Sequence, residues 1–555
     1  MQIVPDLPGP ALRPVQRNHQ WPRWLIVVVG IGAACVDTGC VTTGPLDWIH
    51  NGFKVGPNYC RPSAPVAPDW IEGANPSVQH RRYEEWWKAF QDPTLDHLIA
   101  TAYLQNLNLR VLGTRILQAR AQQAIAVGSI FPQTQQAEAQ YSRTAISHNT
   151  FNNPSALSGL VPPGTPPPPL VGNFFSDWLT GFNLSWELDF WGRFRRAIES
   201  ANANLDASVE NYDAALVTLL ADVATNYVQH RVAQQRIKIA EDNVRIQQNV
   251  LALAEQRFRV GTATRLDVEQ AKTILEQTRS TIPALRITLG QANDRLCTLL
   301  GMPPSDLARQ LGEGTALGAD PLASVPTWVA AGIPADLLRR RPDIQSAERQ
   351  VAAQSALIGV AEADLYPTIY INGTIGLEAA DLTKLFESRS FVGTITPSVK
   401  WNILNYGRIL NNVHLQEART QELIAGYQNQ VLTAAQEAQT ALRGFLESRE
   451  QVDALNKSVA AAVAATELGT GQYSRGTVNF TPVFQLQTSQ VTVQDQLAIA
   501  QGNVALNLID VYRALGGGWE IRTQSPADLA AMCVAPEPAA AATTPELTVP
   551  RVLTK

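Results

Sequence analysis

Two hydrophobic rhythms divide the chain. Residues 182 to 190, FNLSWELDF, alternate strictly: Phe182, Leu184, Trp186, Leu188 and Phe190 fall on one side, Asn183, Ser185, Glu187 and Asp189 on the other. A period of two predicts a strand with one apolar and one polar face. FVGTITPSVKWNI, 391 to 403, repeats the pattern, with Ile395, Val399, Trp401 and Ile403 against Thr394, Thr396, Ser398, Lys400 and Asn402. IYINGTIGL, 369 to 377, alternates through Ile369, Ile371, Ile375 and Leu377, and residues 136 to 145 do so more weakly, with Ala137, Ala139 and Tyr141 outward. The second rhythm is helical. Leu205, Val209, Tyr212, Leu216, Leu219, Val223 and Tyr227 step by fours and threes, and so do Ile424, Tyr427, Val431, Ala434, Ala438 and Leu442. These are heptad-like seams. The stretch from Gly192 to about Arg259 holds no proline; roughly 65 residues at about 1.5 Å each make a rod of about 100 Å.

The pattern occurs twice. WELDFWGRFRR (186–196) aligns with WNILNYGRILN (401–411) at an offset of 215, and Tyr212 with Tyr427, Gly261-Thr262 with Gly476-Thr477, and Leu300-Gly301 with Leu515-Gly516 keep it. Residues 108 to 132 match 343 to 367 at an offset of 235, and the extra residues of the first copy fall between 133 and 178, an interval that contains the Pro/Gly-rich loop NNPSALSGLVPPGTPPPPLVG. Each copy therefore reads helix, proline, strand, loop, strand, long helix, Gly-Thr break, helix. Glycine gives the chain freedom to reverse, so each break predicts a helical hairpin with a return helix, from about Val268 to Leu300 and from about Val483 to Leu515. Asp267 and Pro482 suit the first turn of those return helices.

Strands of about ten residues reach across a bilayer when tilted, and Trp186 and Trp401 stand near the helix-side ends, where aromatic belts form. A half-buried sheet on a soluble core gives the same alternation. If the strands span a membrane, four of them cannot close a barrel, and unpaired edges in lipid are costly. Three chains would supply twelve strands, an even number within the known range. The lipid-facing set is then Phe182, Leu184, Trp186, Ile395, Val399 and Trp401.

Composition narrows the function. The chain has 555 residues and a formal net charge of −5, so it carries no nucleic-acid footprint. Arg13, Arg17 and Arg23 precede WLIVVVGIGAACV (24–36), an apolar run that fits a signal peptide rather than a spanning helix. Cys35 and Cys40 follow small residues as a lipoprotein cleavage site requires; Cys40, which leaves the longer apolar run, is the expected lipidation site and Cys35 the alternative. The other cysteines, Cys60, Cys297 and Cys533, form no C-x-x-C pair. No nucleophile–base cluster, zinc spacing or P-loop is present, so neither an enzyme nor a cofactor is expected beyond a covalent lipid anchor. The expected divisions are a signal peptide (1–39), an N-terminal arm (40–85), a first repeat (86–301), a connector (302–339), a second repeat (340–518) and a disordered tail (519–555).

WWKAFQDPTLDHLI (86–99), SWELDFWGRFRR (185–196), RVGTATRLDVEQA (259–271) and LLRRRPDIQSAERQVAAQSALIGVAEADLYP (337–367) resemble outer membrane factors of tripartite efflux pumps, and GPNYCRPSAPVAPDW (56–70) resembles the arm of their lipoprotein branch. The resemblance implies an α+β membrane protein: a homotrimer with a shared twelve-stranded outer-membrane β-barrel continued by a long periplasmic α-helical barrel. It implies as partners a periplasmic adaptor protein and an inner-membrane transporter, with outer-membrane lipid around the barrel. Family tips carrying V-G-T contact the adaptor; Val260, Gly261 and Thr262 match, and Arg475, Gly476 and Thr477 match less fully. The expected activity is passive conduction, with a gate near the Ala-rich run SVAAAVAATELGTG (458–471) that includes Ala464 and Ala465. Two other readings fit parts of the chain: the exit duct of a protein-secretion exporter, and a coiled-coil scaffold without a pore.

Overall fold

The same succession of elements runs through the chain twice. A computed structural model describes residues 45–72, 78–79, 84–145, 147, 174–307, 311, 326, 329–330, 334 and 340–524. The first half contains helix α1 (Pro45–His50), α2 (Pro93–Gln105), α3 (Leu107–Gly128), strands β1 (Thr134–Ala145) and β2 (Phe174–Leu188), and helices α4 (Arg193–Arg259) and α5 (Arg265–Leu299). The second contains α6 (Pro342–Ala363), β3 (Thr368–Ala379), β4 (Phe391–Lys400), α7 (Arg408–Arg475) and α8 (Phe480–Ala514). Most of the 302–339 connector lies outside the described residues.

Helices α4 and α7 have 67 and 68 residues, and both return helices have 35. At about 1.5 Å per residue the long pair are rods of about 100 Å. Their seams are what the heptads require. Leu216, Leu219, Val223 and Tyr227 are buried on α4, and Tyr427, Val431, Ala434, Ala438 and Leu442 on α7, whereas Leu205, Val209, Tyr212 and Ile424, nearer the sheet, are half-buried. The main core gathers around mid-rod, where Trp87, Leu98 and Ile99 meet these helices together with Leu296 and Tyr512. Trp86 stacks on Tyr512 with ring centroids 5.6 Å apart, which places the 86–99 segment in the core rather than on a loop.

The four long strands form one antiparallel sheet in the order β1-β2-β3-β4. Directly opposed residues share a face. Phe182 stands between Ala137 and Ile375, Trp186 faces Ile371, and Ile369 stands between Leu188 and Val399. On the other face Asn183 stands between Gln136 and Thr374, and Thr374 faces Thr394. One face is therefore apolar and the other polar, and the polar side chains bond along it: Ser185 Oγ donates to Asn372 Oδ1 at 2.8 Å, and Tyr370 donates to Glu187 Oε2 at 3.0 Å.

Several expected boundaries move. Strand β2 begins at Phe174 and stops at Leu188, because Asp189 turns back to cap α4: its Oδ1 accepts from the Phe194 N–H at 2.8 Å and its Oδ2 from the Arg195 N–H at 3.1 Å. Phe190 then packs on Trp48 and Trp191 instead of the sheet. Strand β4 ends at Lys400, opposite Thr368, the first residue of β3. Trp401 and Ile403 thus lie beyond the strand on which they were expected. The return helices start at Arg265 and Phe480, three residues earlier than their periodicity suggests. The tail is ordered at its start: Trp519–Thr523 form a 3-10 turn, Ile521 is buried, and Arg522 Nη2 pairs with Asp213 Oδ2 at 2.8 Å. Residues 525–555 lie outside the described residues.

Candidate functional site

The far ends of the two helical hairpins are built alike. At the first tip the Gly261 N–H bonds to Phe258 O at 3.0 Å and the Thr262 N–H to Arg257 O at 2.9 Å. At the second, the Gly476 N–H bonds to Tyr473 O at 2.9 Å and the Thr477 N–H to Gln472 O at 3.1 Å. This pair of bonds ends a helix on a left-handed residue, and Gly261 and Gly476 have φ of 78° and 81°. Threonine has its own reason to follow. Each hydroxyl bonds the carbonyl that its own N–H already uses, Thr262 to Arg257 O at 3.2 Å and Thr477 to Gln472 O at 3.0 Å. Thr264 then starts α5 with a reciprocal cap, its N–H reaching Asp267 Oδ2 at 3.2 Å while the Asp267 N–H reaches its hydroxyl at 3.3 Å.

The structure brings the two tips together. Val260, Gly261, Thr262, Arg475, Gly476 and Thr477 are all exposed at one end of the rods. Val260 is 68% exposed, and Phe258 and Leu266 stand exposed near it, so the first tip presents apolar surface to solvent. Beneath lies a small core of Val250, Ala254, Val268, Tyr473, Phe480 and Val483, drawn from both hairpins. Arg257 joins them. Its Nη1 donates to Tyr473 O, and its guanidinium sits 4.7 Å above the Tyr473 ring. Burial pushes the Tyr473 phenol up, and the Asp267 charge adds to it. Higher on the rods the hairpins meet through polar pairs: Arg236 and Asp495 bond at 2.6 Å and 2.9 Å, and Asn243 donates to Gln494 at 2.8 Å. In the 458–471 run Gly469 lies against α8, where a Cβ would come within 2.6 Å of Leu486 Cδ1, whereas Ala464 is exposed.

At the other end, the sheet meets the helices through residues that sequence reasoning left without a role. Arg195 donates to the carbonyls of Gly52, Phe53 and Asp189 at 2.6, 2.8 and 2.8 Å. Arg196 is buried and donates to Val55 O at 3.0 Å, Gly56 O at 2.8 Å and Glu199 Oε2 at 2.7 Å. These two arginines fasten the N-terminal arm to α4. The second copy has Leu410 and Asn411 at the corresponding places, and Arg257 corresponds to Gln472. Differences between the copies were the available signal for all three. Trp186 and Trp401 hold equivalent posts, their indole N–H groups donating to Ile130 O at 2.9 Å and Leu365 O at 3.0 Å. On the apolar face Phe182, Ile395 and Val399 are exposed and Leu184 half-buried; Trp401, exposed, lies past the strand end. Cys40 and Cys35 lie outside the described residues.

A helix-rich chain with paired hairpins and an open four-stranded sheet defines a class. The family described as outer membrane efflux protein matches residues 98–302 and 333–517, and the chain belongs to it. It is an outer-membrane efflux channel protein that extends into the periplasm. Among its relatives, the pyoverdine export outer membrane protein OpmQ of Pseudomonas putida is 30% identical over 463 residues, covering 83% of this chain and 94% of OpmQ. Nodulation protein T of Rhizobium leguminosarum bv. trifolii is 30% identical over 487 residues, covering 86% of this chain and 97% of that protein. The solved structure of the outer-membrane channel OprN superposes with a TM-score of 0.76 at 30% identity, covering 84% of this chain and 99% of OprN.

Proposed function

We propose that three copies of the chain form the exit duct of a tripartite efflux pump. Their sheets join into a twelve-stranded barrel through the outer membrane, with Phe182, Leu184, Trp186, Ile395, Val399 and, just past its strand, Trp401 toward lipid and the Asn183–Thr374–Thr394 row toward water. The hairpins continue it as a periplasmic helical barrel. The exposed tips at Val260–Thr262 and Arg475–Thr477 dock a periplasmic adaptor protein, and an inner-membrane transporter supplies the energy. Small molecules pass passively through the lumen, and choice of cargo rests with the transporter. Closely packed helices near 458–471 hold the tip end shut until the adaptor docks. Cys40, or Cys35, carries a lipid anchor.

The observation that supports this reading is a sheet with a polar and an apolar face whose outer strands, β1 and β4, each have one neighbour. Lipid tolerates such edges only when another chain completes the hydrogen bonds. The test is a planar-bilayer recording of the purified full-length protein alongside native mass spectrometry. Stepwise ion conductance from a three-chain particle is expected. A single-chain particle that leaves the bilayer tight would favour the pore-free scaffold, and export of a polypeptide by the intact system would favour the secretion duct.

A further inference from the structure

Resting on the three-chain reading, we propose a specific seam between chains: β4 and α7 of one copy receive β1 and α3 of a second copy as β2 and α4 receive β3 and α6 within the chain, with Lys400 facing the second copy's Glu138.

The contacts between the two halves of one chain supply the template. Trp191, at the start of α4, stacks on Tyr366 with centroids 4.5 Å apart and planes at 23°, and its indole N–H donates to Pro367 O at 2.8 Å. Lower on the same helices, Ser346 Oγ donates to Asn211 Oδ1 at 2.8 Å. In the sheet, Ser185 stands opposite Asn372 and Leu184 opposite Gly373. A closed ring of duplicated units repeats each such contact between the second half of one chain and the first half of the next.

Transposing the residues gives an outward-facing set that the single chain leaves unused. Trp191 corresponds to Tyr406, which is 97% exposed, and Tyr366 corresponds to Phe131, which is 62% exposed. Asn211 corresponds to Gly426 and Ser346 to Val111, both exposed. A Cβ on Gly426 would meet nothing within 4 Å, so packing inside the chain does not demand glycine there. A valine from a second copy fills that space, and the polar pair of the first interface becomes an apolar pair in the second.

The strands need one adjustment. Gln133 is an extra residue of the first copy, between Pro132 and Thr134, whereas Thr368 follows Pro367 directly. Thr134 therefore corresponds to Thr368, and the paired positions of β1–β2 and β3–β4 agree with that alignment. The Ser185–Asn372 pair then becomes Lys400 opposite Glu138, and Leu184–Gly373 becomes Val399 opposite Ala139. Two observations that the transposition did not use support it. Val399 and Ala139 both belong to the apolar face and Lys400 and Glu138 both to the polar one, so the faces match across the seam. The polar pair also carries opposite charges, and neither Lys400 nor Glu138 has an ion-pair partner among the described residues. A slip of one residue would set apolar against polar side chains along the whole seam.

The test uses the full-length chain with Cys60 and Cys533 replaced by serine, since directly opposed strand residues lie within disulfide reach. Lys400→Cys with Glu138→Cys, oxidised in the membrane, is expected to give covalent trimers at least tenfold more abundant than Lys400→Cys with Gln136→Cys or with Gln140→Cys. A shifted pair that cross-links best, or no cross-linking in particles still trimeric by native mass spectrometry, overturns the seam while the ring stands. Particles of one chain overturn both. A charge swap provides the second reading: Lys400→Glu lowers the temperature at which trimers dissociate, and adding Glu138→Lys restores it. A double variant no more heat-resistant than the single one counts against the pairing.

Discussion

Glu210 and His230 lie on one helix and respond to pH in opposite senses. Burial, reinforced by the Asp213 charge, pushes Glu210 up to about 7, and burial pushes Asp213 up to about 6 despite Arg522. Burial and the Arg231 charge bring His230 down to about 4. The folded chain holds the Glu210 proton through a range where an unfolded glutamate has released it, so stability falls as pH rises from about 4.5 to about 7. For His230 the unfolded chain takes the proton first, so stability falls as pH drops from about 6.5 to about 4. Discounted for the partial exposure of the carboxyl, Glu210→Gln should stabilise the protein by roughly 1–2 kcal/mol at pH 8 and by little at pH 4. Thermal unfolding at the two pH values checks it; equal gains at both would refute the assignment. Little of this was legible beforehand, because periodicity says that a helix has a buried face but not which neighbours crowd a carboxylate. The Gly-Thr breaks were legible, since a left-handed helix end is a local event and glycine is its local signature.

At the scale of elements, the hairpins follow from the chain itself and their joining does not. Heptads spanning α4 and α7 predict rods, and the breaks predict reversal. Replacing both Gly261 and Gly476 by tryptophan puts bulky side chains on left-handed residues at exposed ends, at a local cost of about 1–2 kcal/mol each. The rods should persist, and an export assay should show loss of efflux with trimers intact; efflux at the normal rate would remove the tips from docking. The arm is the second case. Arg196→Ala leaves the Val55 and Gly56 carbonyls without their donor, a loss of about 1–3 kcal/mol for each buried group. Limited proteolysis should then cut faster within residues 51–60, where the two arginines hold the carbonyls of Gly52, Phe53, Val55 and Gly56. Unchanged protection would show that Arg195 suffices. The twofold pattern marked this role only by a difference, because only the first copy carries the arginines that meet the arm.

For the whole molecule, the proposed barrel rests on the apolar face of the sheet. Phe182 is 65% exposed near the middle of the apolar face, between Ala137 and Ile375. Phe182→Arg should destabilise the membrane-inserted form by about 2–4 kcal/mol if that face meets lipid at mid-depth. Urea unfolding in liposomes measures it, and a neutral result would place the face in water.

Alternation and heptads, which depend on neighbours a few residues apart, specified the strands, the rods, the duplication and the two reversals from the sequence alone. Tertiary structure decided where each strand ends, which strand edges are left open, that the first residues of the tail pack against α4, and that Arg257 meets Tyr473 and Arg196 meets Val55. The contacts of the tail, Arg257 and Arg196 join residues more than a hundred positions apart, and a local pattern carries no information about what a distant segment brings to meet it.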